Sequence, residues 1–250
     1  MVKGGPGETP DTERSPLFTT THWSVVLAAG EGDSPQAAAA LEHLCRTYWY
    51  PLYGYVRRRD YRPEDAQDLT QEFFTHLLEK QAFRQLEREG GKFRSFLLTA
   101  LNHFLANEWA RRNTLKRGGR LGRFSLDELE PETRYQFEPA DEVTPETFFE
   151  RRWAATLLEQ VMNRLRDEFA RDGKAELFQR LQPCLTGAEQ MLPYAELARL
   201  LGMTENAVKM AVHRLRKRYG ELLRAEIVQT VATPQEVEEE IHHLIATTAR

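Results

Sequence analysis

The sequence predicts an all-α protein: two small helical domains joined by a flexible linker, the second containing a helix-turn-helix. Three observations carry this reading. Apolar residues recur at helical spacing along nearly every periodic segment, and no stretch alternates as a half-buried strand does. Start and stop signals such as Pro35, Pro63, Gly90-Gly91 and Gly202 punctuate those segments. Residues 113–145 combine Gly and Pro with few periodic apolar positions, which divides the chain near residue 120.

The elements follow in order. Residues 1–16 are polar and contain Gly and Pro, so they read as a disordered tail. Trp23, Val26 and Leu27 predict a short helix ended by Gly30. Ser34 caps and Pro35 opens an Ala-rich helix that reaches Trp49, where Pro51 interrupts it. A further stretch from Leu52 closes on Arg57, Arg58 and Arg59, cations that suit a helix C-terminus. Pro63-Glu64-Asp65 opens the next helix, with acids where the helix dipole favours them. After Gly90-Gly91 a long helix, Phe93 to Arg112, carries Phe93, Leu97, Ala100, Leu101 and Phe104 on one stripe. The second half restarts near Glu146 and is again helical. The expected boundaries are a tail at 1–16, a first domain at 17–120, a linker at 121–145, a second domain at 146–225 and a C-terminal extension with a short helix at 226–250.

Composition excludes several classes. The 250 residues hold 34 Lys+Arg against 38 Asp+Glu, a net charge of −4 that argues against a nucleic-acid binder on average. The charge is sorted into blocks, however. Residues 111–123 carry six basic side chains and no acid, whereas residues 124–150 are acidic apart from Arg134. The acidic half reads first as a solvated connector, and in a sharper reading as a mask over the basic block. No window nears the roughly 18 apolar residues of a membrane span, so a cytoplasmic protein with no membrane partner is expected. Cys45 and Cys184 form neither a disulfide framework nor a metal-ligand spacing. No zinc-protease HExxH, phosphate-cradling Gly loop or nucleophile elbow is present, so no catalytic residue, metal or cofactor is expected and the chain does not read as an enzyme.

The most specific local pattern lies in the second half. An amphipathic helix bearing Leu197, Leu200 and Leu201 ends at Gly202, and Thr204 can cap the next, whose inward stripe is Val208, Ala211, Val212 and Leu215. Two short helices across a tight Gly-bearing turn form a helix-turn-helix, whose second helix suits the major groove. Thr204, Glu205, Asn206 and Lys209 sit at its reading end. His213, Arg214, Arg216, Lys217 and Arg218 follow, and the cations among them suit phosphates. The bland alternative is a helical hairpin with a solvated basic face.

Two faces of the first half stand out. Between Asp65 and Glu79, Ala66, Leu69, Phe73 and Leu77 take core spacing, while Asp65, Asp68, Gln71 and Glu72 line the other side. Acids so spaced repel one another, which suits either a solvated face or a partner with a basic surface. Along the long helix Asn102, His103, Asn107, Trp109, Arg111 and Arg112 mix aromatic, amide and basic groups. Such a mixture fits an unpaired nucleic-acid strand, since aromatic stacking is worth about 1–3 kcal/mol per base.

Asp65-Ala66-Gln67-Asp68-Leu69-Thr70-Gln71-Glu72-Phe73-Phe74, then Phe93-Arg94-Ser95-Phe96-Leu97-Leu98-Thr99-Ala100, then the helix-turn-helix running to His213-Arg214, occur in that order. Together they resemble the bacterial extracytoplasmic-function sigma factors, over roughly residues 38–120 and 175–225. The resemblance implies that Asp65, Asp68, Gln71 and Glu72 dock on the clamp helices of core RNA polymerase. It implies that Asn102, His103, Asn107, Trp109, Arg111 and Arg112 open and read the −10 promoter element, and that Thr204, Glu205, Asn206, Lys209, His213, Arg214, Arg216 and Lys217 serve the −35 element. An anti-sigma factor or a kinase-linked regulator is a further partner the resemblance allows. The chain departs from the family where Asn102-His103 replaces the usual Arg-Asn and where Ala211 replaces a common arginine. It also departs in its extension, where Glu236, Glu238, Glu239 and Glu240 precede Ile241, Leu244 and Ile245. That extension is expected to pack as a plain amphipathic helix, or else to fold over the basic recognition helix. The competing function is a free-standing helix-turn-helix regulator that binds duplex DNA as a dimer without polymerase, although no heptad seam offers a dimer interface.

Overall fold

The computed structural model describes residues 35–78, 92–114, 131–138, 143–186, 192–231 and 233–248. Every regular element among them is an α-helix. The helix expected around Trp23–Leu27 and the basic block beyond residue 114 lie outside the described residues.

Helix α1 (Pro35–Arg57) runs unbroken through Pro51, so the expected interruption there is absent. Proline removes one helical hydrogen bond and crowds the preceding turn, at a cost of about 3 kcal/mol. What offsets it is burial. Tyr48, Tyr50, Leu52, Tyr53, Tyr55 and Val56 all lie in the core, six large side chains within nine positions. Helix α2 (Pro63–Leu78) packs on α1 and sends Ala66, Leu69, Phe73 and Leu77 inward, as the spacing required. Helix α3 (Phe93–Thr114) follows with Phe93, Leu97, Leu101 and Phe104 buried.

The described part of the expected linker is not bare coil. Helix α4 (Pro131–Gln136) lies against α1, where Glu132 accepts two hydrogen bonds from Arg57, at 2.9 and 3.1 Å. Helix α5 (Pro145–Arg171), capped by the Thr144 hydroxyl on the Thr147 amide, makes the most extensive helix pairing among the described residues, along α1. Gly54 permits that approach, because a Cβ there would stand 2.0 Å from Cε1 of Phe148. Trp153 is fully buried and donates its indole N–H to the Tyr48 hydroxyl at 3.2 Å. The buried residues of both halves therefore belong to one continuous cluster.

Beyond α5 come two short helices, α6 (Ala175–Leu181) and α7 (Pro183–Thr186). Helix α8 (Tyr194–Leu201) and helix α9 (Glu205–Val228) meet at a turn in which Gly202 has φ 62°, a left-handed conformation natural to glycine. Helix α10 (Pro234–Thr248) is the C-terminal extension, packed on α9 and α5.

Candidate nucleic-acid interface

The turn between α8 and α9 is built by its own residues. The Met203 amide donates to the Ala198 carbonyl at 2.9 Å, and Thr204 Oγ1 accepts from the Ala207 amide at 3.2 Å. Leu197, Ala198, Val208, Ala211, Val212 and Leu215 are buried between the two helices and their support. Thr204, Glu205, Asn206, Lys209, His213, Arg214 and Lys217 are exposed. Lys209 is tied to Glu205 at 2.8 Å, one turn before it, and that hydrogen bond raises its pKa.

Two of the cations expected at phosphates are engaged inside the molecule. Arg216 donates Nε and Nη2 to the Cys184 carbonyl, at 3.2 and 2.9 Å, closing the end of α7. Arg218 holds Glu168 of α5 through two bonds of 2.8 Å, and that pairing keeps the Glu168 carboxyl below the usual carboxylate range. Both arginines fix α9 to its scaffold.

On α2 the acidic face is arranged as the stripe required. Asp68 is exposed, and Asp65, Gln71 and Glu72 are half-buried along the same helix. On α3, His103 and Asn107 are exposed and Trp109 is 67% exposed, so this indole is not a core residue. Asn102 is half-buried. Arg59 Nη1 donates to its Oδ1 at 2.7 Å, and the Tyr55 hydroxyl lies 3.0 Å from the same oxygen. Because a guanidinium only donates, the Asn102 amide is oriented with its oxygen inward. Arg111 and Arg112 belong to α3, and their side chains lie outside the described ones.

Sequence reasoning missed a set of ionic joints. Arg94, at the start of α3, is buried between Glu240 of α10 and Glu150 of α5; burial opposes its charge, and the two carboxylates prevail, raising its pKa. A signal for this existed, since Val237, Glu240 and Leu244 share one stripe of α10, which predicts an inward carboxylate. Nor does α10 cover the recognition segment. Its ion pair with α9 is at Arg224, past Lys217, so α10 packs as an amphipathic helix, and the alternative, a fold-back over the basic reading end, is not the arrangement seen. Burial, with Glu42 nearby, pushes the Cys45 thiol up to about 11, and burial also raises that of Cys184, so neither thiol is activated. Among the described residues no His, Cys, Asp and Glu cluster could hold a metal, and no helix is long and apolar enough to cross a membrane.

Residues 44–114, spanning most of α1 through α3, match the family model described as Sigma-70 region 2. The chain is 28% identical over 178 residues to the RNA polymerase sigma factor YlaC of Bacillus subtilis (strain 168), an alignment covering 71% of this chain and 88% of that protein. No solved structure matches.

Proposed function

We propose that this chain, a sigma factor of the extracytoplasmic-function type, recruits core RNA polymerase through α2 and reads promoter DNA through α3 and α9. The observation that carries the reading is the coincidence of the region 2 match with the acidic face of α2 and the exposed Trp109 of α3. An initiation factor performs no chemistry of its own; it lends specificity and strand separation to an enzyme. Each surface has a separate task. Asp65, Asp68, Gln71 and Glu72 offer a negative face to the basic side of the polymerase clamp helices. Trp109 supplies a flat apolar surface for an unstacked base, with His103 and Asn107 on the same helix and Asn102 presenting its amide N–H group rather than its carbonyl. Thr204, Glu205, Asn206 and Lys209 meet base edges upstream, where Arg214 and Lys217 meet phosphates.

In this reading residues 17–120 are the downstream module and 146–225 the upstream one, joined by 121–145. Arg216 and Arg218 are scaffold, so Arg214 and Lys217 remain for phosphate, and the log–log salt dependence of upstream binding should be about −2. The test is reconstitution: purified core RNA polymerase, this chain and fragmented bacterial genomic DNA, with transcript 5′ ends sequenced. A shared motif upstream of the new starts, lost on Trp109→Ala, supports the reading. Duplex binding without any new transcript start would overturn it in favour of a free-standing regulator.

A further inference from the structure

We propose that the C-terminal helix α10 is an intramolecular clasp that holds the two DNA-reading modules together and must release for promoter engagement. The contact itself stands on geometry; its purpose rests on the initiation-factor reading above.

The clasp is a buried ionic joint between elements far apart in sequence. Glu240 is fully buried, and both its oxygens are taken by Arg94 of α3, from Nε at 2.6 Å and Nη2 at 3.2 Å. Lys92 approaches the same carboxylate at 3.1 Å. The third guanidinium nitrogen of Arg94 pairs with Glu150 of α5, whose other oxygen meets His243 of α10 at 2.9 Å. The guanidinium also lies 5.1 Å from the centre of the Trp153 ring. Next to it the Phe93 amide donates to the Thr230 carbonyl, at 3.0 Å, just past the end of α9. On its other side α10 reaches α9 through Arg224 and Glu238, and Val237 and Leu244 fill the seam. One helix thus ties the start of the strand-reading helix to the end of the duplex-reading helix.

Size shows why this joint matters. Elements named −10 and −35 lie roughly 25 base pairs apart, ~85 Å at ~3.4 Å per step. A compact chain of this length has a radius of gyration of about 18 Å, a width of roughly 45–50 Å. Modules sharing one core cannot span both elements, so they must part, and the α10 joint is among the contacts that part. The closed form lowers apparent affinity by the fraction of open molecules, and a weaker clasp raises it.

The test uses the full-length protein. Small-angle scattering measures the size of the free chain, and fluorescence anisotropy measures its affinity for purified core RNA polymerase. Glu240→Gln keeps the shape of the side chain and leaves Arg94 paired with Glu150, while removing the charge that Arg94 and Lys92 both hold. It should enlarge the radius of gyration by at least a tenth and tighten polymerase binding about tenfold. Lys92→Ala/Arg224→Ala, at the rim, should shift both readouts the same way by about threefold in affinity. This second variant decides the matter if Glu240→Gln loses its helical circular dichroism. Wild-type size and wild-type affinity in the folded variants would overturn the clasp. Failure of wild type and variants alike to bind polymerase would remove the initiation-factor reading, and expansion or its absence in scattering would still decide for or against the clasp.

Discussion

Two sets of acidic residues, similar in composition, have opposite fates in this molecule. Those of α2 line an outer face. Those of α4 and the turn after it, of α5 and of α10 turn inward, where Glu132 takes Arg57, Glu138 takes Arg152, and Glu150 and Glu240 share Arg94. The difference lies in depth: Asp68 of α2 is exposed, whereas Glu240 of α10 is fully buried. A carboxylate leaves water only where an opposing charge and further hydrogen bonds await it. Arginines on neighbouring helices supply these for the second set. Acid content alone therefore says nothing about whether a run of Glu is a docking face or a joint.

The largest effect that would sharpen this contrast comes from Arg94→Ala. It leaves the fully buried Glu240 with Lys92 alone, and should cost about 3–5 kcal/mol, measured as a lower calorimetric Tm. Replacing both partners, Arg94→Met/Glu240→Leu, should recover most of that loss. By contrast Asp68→Asn on α2 should move stability by no more than about 0.5 kcal/mol. Equal losses at Asp68 and Arg94 would erase the distinction.

Next in size is the seam that brings the inward acids to their partners. Gly54→Ala forces a Cβ into Phe148 where α1 and α5 meet, and overpacking of this kind costs about 1–3 kcal/mol. At about 2–4 °C per kcal/mol for a chain of this size, the melting point should fall by several degrees.

Acid titration probes the paired carboxylates in another way. The Arg57 and Arg218 hydrogen bonds hold Glu132 and Glu168 below the ordinary carboxylate value of 4.5. A depressed folded pKa contributes stability that is present above the unfolded value and lost as pH falls through the folded one. Stability should therefore decline below about pH 4.5 as these pairs protonate. Glu132→Gln and Glu168→Gln should flatten that limb of a pH–stability curve.

A smaller loss than those of Arg94→Ala and Gly54→Ala concerns a local signal. Thr204→Ala removes the cap of α9 and should cost about 1 kcal/mol, whereas Thr204→Ser should be nearly neutral by chemical denaturation.

That cap also marks what could be read from the sequence. Gly202, Thr204, Pro35 and Pro63 act within a few residues of themselves, so the helix ends they set were visible. Inward stripes were equally plain: Leu69, Phe73 and Leu77 are buried as their spacing required. Pro51 misled because its cost is local, while the tyrosines that outweigh it meet partners in and around α4 and α5, about eighty to a hundred residues away in sequence. The roles of Arg216 and Arg218 were hidden for the same reason, since Cys184 and Glu168 become neighbours only when α9 lies along α5 and α7. On the candidate interface, Trp109, which the pattern left open, is exposed, and the exposure of Asp68 and Lys209 follows from their helical spacing. The inward turn of the linker acids does not, because a run of Glu carries no record of which arginines it will meet.

The most direct test of the account sets the two acidic regions against each other in capture of purified core RNA polymerase. Wild type should be retained stoichiometrically. Asp68→Arg/Glu72→Arg should lose capture with its melting point nearly unchanged, and Glu132→Arg/Glu138→Arg should melt earlier yet, while folded, still be captured. Undiminished capture by the α2 reversal would contradict the account, for the outer acids would then be only a solvated face.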